Sequence, residues 1–433
     1  MSVAPPPGRA LPGNRWDLLD GVRPDEPPLV SVIVAHYRQP EQLARTLGAL
    51  RRQDHPAERL QIIVADDGSP EAPVVPPGVE LVRHEDRGFR LAAARNLGVV
   101  AARGDVLVFL DADTAPEPSY VRELTRLPAL APDCVTVGRR RHADLAGVTA
   151  ERLVDEAPRR ALVEPAWLAE EYRRSGDLLR ADDRSYRHVI GAVIACSRAM
   201  FDATGGFDED FTSYGGEDWE WTYRAWLQGA VLAHVPSAIA WHDGPDAAGR
   251  DEGAIARRNA ETIRLSDLVP VAGSAGRGIR PTRVDIAVAG PHGASPGRLF
   301  LSLDSALAAL GTAAVRAAAV PDASGTDAAG TDVSLAGTAF DRVRLVVDIL
   351  RPVRFTGDVL ATATARVDAE QLGELVLRSP AGEPLVRVTS MRARARAERW
   401  GRTDLFPVAS QATTEVRPVD DEPDLAAYLG GWG

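Results

Sequence analysis

Four short apolar runs set the rhythm of the first half of the chain. They are Leu29-Val30-Ser31-Val32-Ile33-Val34-Ala35, Leu60-Gln61-Ile62-Ile63-Val64-Ala65, Val79-Glu80-Leu81-Val82 and Val106-Leu107-Val108-Phe109-Leu110. Rich in Val, Ile and Leu and bounded by turn residues, they read as strands buried on both faces. Between them, Leu43, Leu47 and Leu50 fall at helical spacing behind Pro40, and Leu91 to Ala101 forms a second helical stretch. Strands alternating with helices predict βαβ units and an α/β fold around a mostly parallel sheet. Further on, His188 to Cys196 reads as a strand and Trp219 to Gln228 as a helix.

Pattern changes divide the chain. Residues 1–28 are rich in Pro and Gly and read as a loose leader with Trp16 as an anchor. Residues 29–268 form the main domain, and 269–283 a Gly/Ser/Ala linker. Residues 284–403 form a C-terminal accessory domain, and 404–433 a tail. The accessory domain echoes the first. Val284 to Ala289 and the helix ending at Leu310 resemble the first strand and helix; Val315 to Ser324, Val343 to Val346 and Gly357 to Leu360 resemble the three strands that follow. Two readings stay open: a decayed second copy of the first half, or a β-rich accessory domain in Ala/Val-rich sequence. In the decayed copy, Asp322 is retained while Thr364 and Arg366 stand where Asp111 and Asp113 would fall.

Composition narrows the function. The 433 residues carry a net charge of −11, with 45% hydrophobic and 26% charged residues. That is ordinary for a globular protein and excludes a general nucleic-acid binder, which shows a basic footprint. No lysine is present, so arginines and a metal ion would have to offset any anionic substrate. Cys134 and Cys196 sit in apolar segments and read as buried free thiols, not as a disulfide or zinc site. There is no apolar run of membrane-spanning length and no secretory h-region, so a cytoplasmic protein is expected, with peripheral membrane contact and oligomeric state left open. Neither a Walker A loop nor a dinucleotide-binding glycine pattern follows the first strand.

Three acidic groups carry candidate chemistry. Asp111 and Asp113 follow the fourth strand one residue apart and so project the same way. At the carboxyl end of a sheet strand they suit a hard divalent cation shared with phosphate oxygens; the alternative is a solvated acidic turn. Asp66-Asp67-Gly68-Ser69 leaves the second strand where a nucleoside would lie, or forms an Asx turn. Gly215-Gly216-Glu217-Asp218 opens a helix, where carboxylates suit a general base or the helix dipole alone. Trp219 and Trp221 behind it suit either an acceptor-stacking face or the core. Gly191 would let backbone approach a bound ligand closely.

In order along the chain, Val30 to Tyr37, Asp66-Asp67-Gly68-Ser69, Arg95-Asn96-x-Gly98, Asp111-Ala112-Asp113, Gly206-Phe207-Asp208-Glu209-x-Phe211, Gly215-Gly216-Glu217-Asp218 and Trp241-His242 resemble family 2 glycosyltransferases of the GT-A fold. The resemblance covers residues 29–245 and is nearest the branch of chondroitin-polymerase-type and related bacterial hexosyl- and N-acetylhexosaminyltransferases. It implies a metal-dependent transfer from a nucleotide-sugar, a UDP-sugar, to a hydroxyl of a glycan or glycoconjugate, with inversion. Residue by residue it implies Asp67 on the base, flanked by Ala35 and Tyr37, with Asp66 beside it. Arg95 would meet the diphosphate or the base, Asp111 the ribose or sugar hydroxyls, and the backbone at Gly191 the donor sugar. Asp113 and His242 would hold Mn²⁺ or Mg²⁺; Asp218 would act as base and Glu217 would orient a substrate. The charged segment 139–187 would be a helical or mobile cover that closes on the donor and sets acceptor choice. The alternative is a non-catalytic nucleotide-sugar or glycan-binding scaffold on the same fold.

Overall fold

The structure, a computed structural model, describes residues 5–245, 254–311, 314–317 and 338–431. The chain divides into two compact units, Met1–Ile263 and Arg264–Gly433.

The first unit is built on an eight-stranded sheet. In chain order its elements are β1 (Val30–His36), α1 (Pro40–Leu50), β2 (Leu60–Asp66), β3 (Val79–Arg83), α2 (Leu91–Ala101) and β4 (Val106–Asp111). Then come β5 (Thr114–Pro116), α3 (Tyr120–Leu130), β6 (Cys134–Ala143), α4 (Leu153–Glu156) and α5 (Ala166–Ser175). The unit closes with β7 (Val193–Ser197), α6 (Arg198–Thr204), α7 (Glu217–Leu227), β8 (Val231–Asp243) and α8 (Ala254–Leu268), whose last residues belong to the second unit. The order across the sheet is β3-β2-β1-β4-β7-β6-β8-β5. β1 to β4 are mutually parallel and β7 runs against them. The expected α/β class with a mostly parallel sheet is therefore the one observed. β1, β2 and β4 match the apolar runs because they are buried on both faces, Val32, Val64 and Val108 on one and Ile33, Ile63 and Phe109 on the other, whereas β3 at the sheet edge is half-buried.

Several boundaries differ from expectation, each for a local reason. The Pro/Gly-rich leader is strapped to the unit. Leu11 and Leu19 pack with Leu127, Val231 and Ala233, and Trp16 leans on the same cluster. The buried Asn14 amide donates to the carbonyls of Leu178 (2.7 Å) and Leu232 (2.9 Å), and its oxygen accepts from Leu232 N–H (2.9 Å). The charged run Arg139–Arg141 lies on β6, so the segment expected to hold no strand begins with one. β7 starts at Val193 because the Ile190 carbonyl accepts from Val193 N–H in a tight turn, which leaves Gly191 outside the strand. Cys134 and Cys196 are buried and free.

The second unit contains β9 (Ile286–Ala289), α9 (Pro296–Leu310), β10 (Val315–Ala317), β11 (Leu345–Ile349), β12 (Val353–Phe355) and α10 (Val359–Ala369). β13 (Glu374–Arg378), β14 (Pro384–Ser390), α11 (Met391–Trp400), β15 (Val408–Ala412), β16 (Val416–Pro418) and α12 (Leu425–Tyr428) complete it. Its main sheet runs β10-β9-β11-β14-β13-β15, with β12 and β16 paired separately. The strand expected at Gly357 to Leu360 is instead the start of α10: Val359, Leu360, Ala363 and Val367 fall on one buried helical face. Thr364 and Arg366 are on that helix, the latter paired with Glu370 at 2.8 Å, and neither stands at a strand end. Asp322 lies outside the described residues. The expected tail is part of the fold, since β15 pairs with β13 and β16 with β12.

Candidate active site

A cavity of about 650 Å³ opens at the carboxyl end of β4. Seven of the eleven expected site residues line it: Arg95, Asp111, Asp113, Gly191, Glu217, Asp218 and His242. They come from five segments far apart in sequence, which the sheet order brings together.

Arg95, on α2, is the hub. It is fully buried, donates to Asp111 Oδ1 at 2.9 Å through one terminal nitrogen and to Glu217 Oε1 at 2.8 Å through the other. It thus ties the end of β4 to the start of α7. Gly191 packs against this hub: a Cβ there would stand 3.0 Å from Arg95 Nη1 and 3.0 Å from the Asp218 Cβ. The absent side chain lets Gly191 N–H reach Asp218 Oδ2 at 2.7 Å, while Asp218 Oδ1 accepts from Trp219 N–H at 2.8 Å. Each oxygen keeps a free lone pair on a half-buried carboxylate.

The two acids enter the cavity because Gly215 and Gly216 take φ of +98° and +92°, a left-handed pair that turns the chain sharply into α7. Burial, reinforced by the charge of Asp218 and only partly offset by Arg95, pushes Glu217 up to about 7. Glu217 Oε2 is buried without a hydrogen-bond partner. Burial also raises Asp218, against the opposing bond from Gly191. The pair therefore binds protons more avidly than ordinary carboxylates.

On the same lining, His242 Nε2 stands 3.6 Å from Asp113 Oδ2, and Gln39 donates to the same Asp113 oxygen at 3.1 Å. His242 Nδ1 lies 3.2 Å from the Gly244 carbonyl. A hydrogen on Nδ1 satisfies that contact and turns the Nε2 lone pair toward Asp113, the tautomer a metal-ligating histidine uses. No group of three or more His, Cys, Asp or Glu side chains is placed to hold a metal by itself among the described residues. The Asp113–His242 pair, a carboxylate beside an imidazole, fits a divalent cation whose remaining ligands are water and substrate oxygens.

The other four expected residues lie at the ends of β1 and β2, outside this cavity. Ala35 is buried on β1 and Tyr37 is 38% exposed beyond it. Asp67 is held by Arg90 N–H (2.8 Å) and by His84 (2.9 Å). Asp66 departs from expectation. Its oxygens are consumed by His36 (2.7 Å), Ser69 Oγ (2.6 Å), Ser69 N–H (3.0 Å) and Arg83 (3.0 Å), so it locks the turn and faces no ligand. Arg95, expected at the diphosphate or the base, has both terminal nitrogens engaged by carboxylates, Glu217 and Asp111.

Sequence reasoning missed other parts of the wall. Glu261 and Arg258 on α8 line the cavity, as do Trp167 on α5 and Tyr214. Trp167 and Tyr214 are 48% and 59% exposed. These four sit in stretches whose spacing is that of any surface helix or loop. The tryptophans after Asp218 divide: Trp219 lines the cavity, whereas Trp221 is fully buried with its Nε1 on Thr204 Oγ1 at 2.9 Å.

Residues 31–202 match the family model described as glycosyl transferase family 2, and residues 181–241 that of the N-terminal domain of galactosyltransferase. Within the N-terminal unit, residues 31–202 are thus similar to family 2 glycosyltransferase domains, and the curated relatives that match this part of the chain include chondroitin synthases. A chondroitin synthase of Escherichia coli is 30% identical over 265 residues, covering 56% of this chain and 38% of the relative. Validoxylamine A glucosyltransferase of Streptomyces hygroscopicus subsp. jinggangensis is 34% identical over 226 residues, covering 47% and 53%. The chain thus spans well under two thirds of the length of these relatives. A solved structure of GalNAc-T7 with UDP, GalNAc and Mn²⁺ overlaps at a TM-score of 0.41 and 20% identity, covering 51% of this chain and 44% of that one. No helix among the described residues is long and apolar enough to cross a membrane.

Proposed function

We propose that the N-terminal unit transfers a sugar from a nucleotide-sugar, a UDP-sugar, to a hydroxyl of a glycan or glycoconjugate, with inversion and with a divalent cation. The observation that carries this reading is one cavity lined by both Asp113–His242 and Glu217–Asp218, with Glu217 tied through Arg95 to Asp111. Similarity to relatives named chondroitin synthase and glucosyltransferase supports the reaction class.

Asp113 and His242 would hold the cation, Mn²⁺ or Mg²⁺, which supplies charge to stabilise the departing diphosphate. Asp111, oriented by Arg95, accepts hydrogen bonds from donor hydroxyls. Asp218 accepts the proton of the attacking acceptor hydroxyl; its raised proton affinity and fixed orientation suit a general base. Glu217 holds Arg95 in place and supports the proton affinity of its neighbour. With a single base facing the leaving group, the acceptor attacks directly and the anomeric centre inverts; a covalent route would need a carboxylate at the reacting carbon. For the nucleoside, Asp67 offers a carboxylate and Ala35 and Tyr37 a flanking surface at the ends of β1 and β2. Trp167, Tyr214 and Trp219 offer apolar faces to the acceptor.

The test is release of nucleoside diphosphate across a panel of nucleotide-sugars, with Mn²⁺ or with EDTA, for the wild type and Asp113→Ala. Turnover of at least one donor that needs the metal and falls roughly 100-fold or more in Asp113→Ala is expected. Binding without turnover across the panel would favour a scaffold, and turnover indifferent to both EDTA and Asp113 would sink the catalytic reading.

A further inference from the structure

The second unit repeats the sheet of the first. Read across, β2-β1-β4-β7-β6-β8 and β10-β9-β11-β14-β13-β15 have the same sequence of senses: parallel, parallel, antiparallel, antiparallel, parallel. The short pair follows suit, since β5 runs antiparallel to the end of β8 and β12 antiparallel to β16.

Hydrogen bonds fix the register residue by residue. Val106 pairs with Ser197, which caps α6 by accepting from Met200 N–H; Leu345 pairs with Ser390, which caps α11 by accepting from Ala393 N–H. Arg198 N–H donates to Asp105 O at 2.9 Å, and Met391 N–H to Arg344 O at 2.9 Å. From there the two chains run without insertion: Tyr120 opens α3 where Val359 opens α10, and Val135 pairs across to Cys196 where Glu374 pairs across to Thr389. Beyond the loop, Asp243 N–H donates to Asp113 O and Val419 N–H to Pro352 O, both at 2.9 Å. His242 stands opposite Thr114 as Pro418 stands opposite Val353.

The counterparts of the chemical residues follow from this register. Leu350 stands for Asp111, Pro352 for Asp113 and Pro418 for His242. Pro384, which has no N–H, stands for Gly191. α6 and β8 are separated by the glycine pair and α7 with its acids, whereas α11 and β15 are separated by residues 401–407 alone, which hold no helix.

We propose that the second unit is a copy of the transferase framework that has lost both the cation grip and the base. The described residues then hold one transfer centre of this kind. The count of one rests on the function proposed for the N-terminal unit; the silence of the second unit does not.

The test is calorimetric titration of UDP with Mn²⁺ into the full chain, wild type and Asp113→Ala, with circular dichroism to confirm folding. One equivalent in the wild type and none in Asp113→Ala is expected. Two equivalents, or one that survives in Asp113→Ala, would overturn the proposal. No binding in the wild type would count against the N-terminal reading while agreeing with a silent second unit. The register has its own check, independent of Asp113. The triple substitution Leu350→Asp, Pro352→Asp, Pro418→His should add one Mn²⁺ site detectable by electron paramagnetic resonance. A folded triple variant that gains no Mn²⁺ would overturn the register.

Discussion

Glu217 should make the N-terminal unit less stable as pH rises, and Glu217→Gln should remove that loss. The carboxyl goes from an ordinary 4.5 to about 7 on folding, with burial the largest cause and Asp218 the next. A carboxyl with a raised folded value binds its proton more tightly in the folded state than in the unfolded one. Stability is therefore greatest below about 4.5 and falls as pH climbs through about 7. At about 1.4 kcal/mol per pH unit, the loss is about 3 kcal/mol. A glutamine matches the neutral acid in shape and can still accept from Arg95, so the variant should equal the wild type near pH 4.5 and exceed it by about 3 kcal/mol at pH 8. Relief of repulsion on Asp218 acts in the same direction. Urea unfolding of both proteins across that range, followed by the fluorescence of tryptophans such as Trp221, measures the difference. A stability gap that does not change with pH, or a variant weaker than the wild type at pH 8, would mean that the Arg95 pairing outweighs burial and that Glu217 is comfortably ionised.

Two further outcomes probe the frame around the site. Gly191→Ala should cost about 1–3 kcal/mol from overpacking against Arg95 and Asp218, and should cut turnover roughly 10- to 100-fold by shifting the base; thermal melts beside a donor-turnover assay separate the two effects, and full activity would show that the contact gives way. Asn14→Ala removes three buried bonds that strap the leader and should cost about 2–4 kcal/mol. The melting temperature should fall by roughly 5–10 °C, and an unchanged melt would show the leader to be dispensable.

Much of the first unit was legible because its signals are local. The strands β1 to β4 are apolar runs ended by turn residues, and Asp111, Asp113, Glu217 and Asp218 sit where those runs stop or where a glycine pair turns the chain. What escaped was set by distant partners. Asp66 looks like a ligand in Asp-Asp-Gly-Ser, yet His36 and Arg83 claim it from β1 and β3. Arg95 looks like a phosphate arginine until the sheet brings Glu217 beside it. Glu261 and Trp167 carry no local mark at all. In the second unit, Val359-Leu360 reads equally as strand or helix over so short a span, and only the pairing of β11 with β9 decides which run takes the place of β4.

The position of Arg95 bears on why a cation would be needed at all. A guanidinium at the diphosphate could neutralise part of the leaving group's charge by itself. Here that guanidinium is buried, with Asp111 on one side and Glu217 on the other. Moving it to a phosphate would strand two carboxylates, at a cost of several kcal/mol. The cavity also gathers Asp113, Asp218 and Glu261, so an anionic donor enters a field already rich in negative charge. Under the proposed function, positive charge at the diphosphate then comes from a cation on Asp113 and His242 and from the other lining arginines, Arg140 and Arg258, not from Arg95. On that reading a net charge of −11 can coexist with a doubly anionic substrate group: Arg95 organises the acids, and the cation would meet the phosphates.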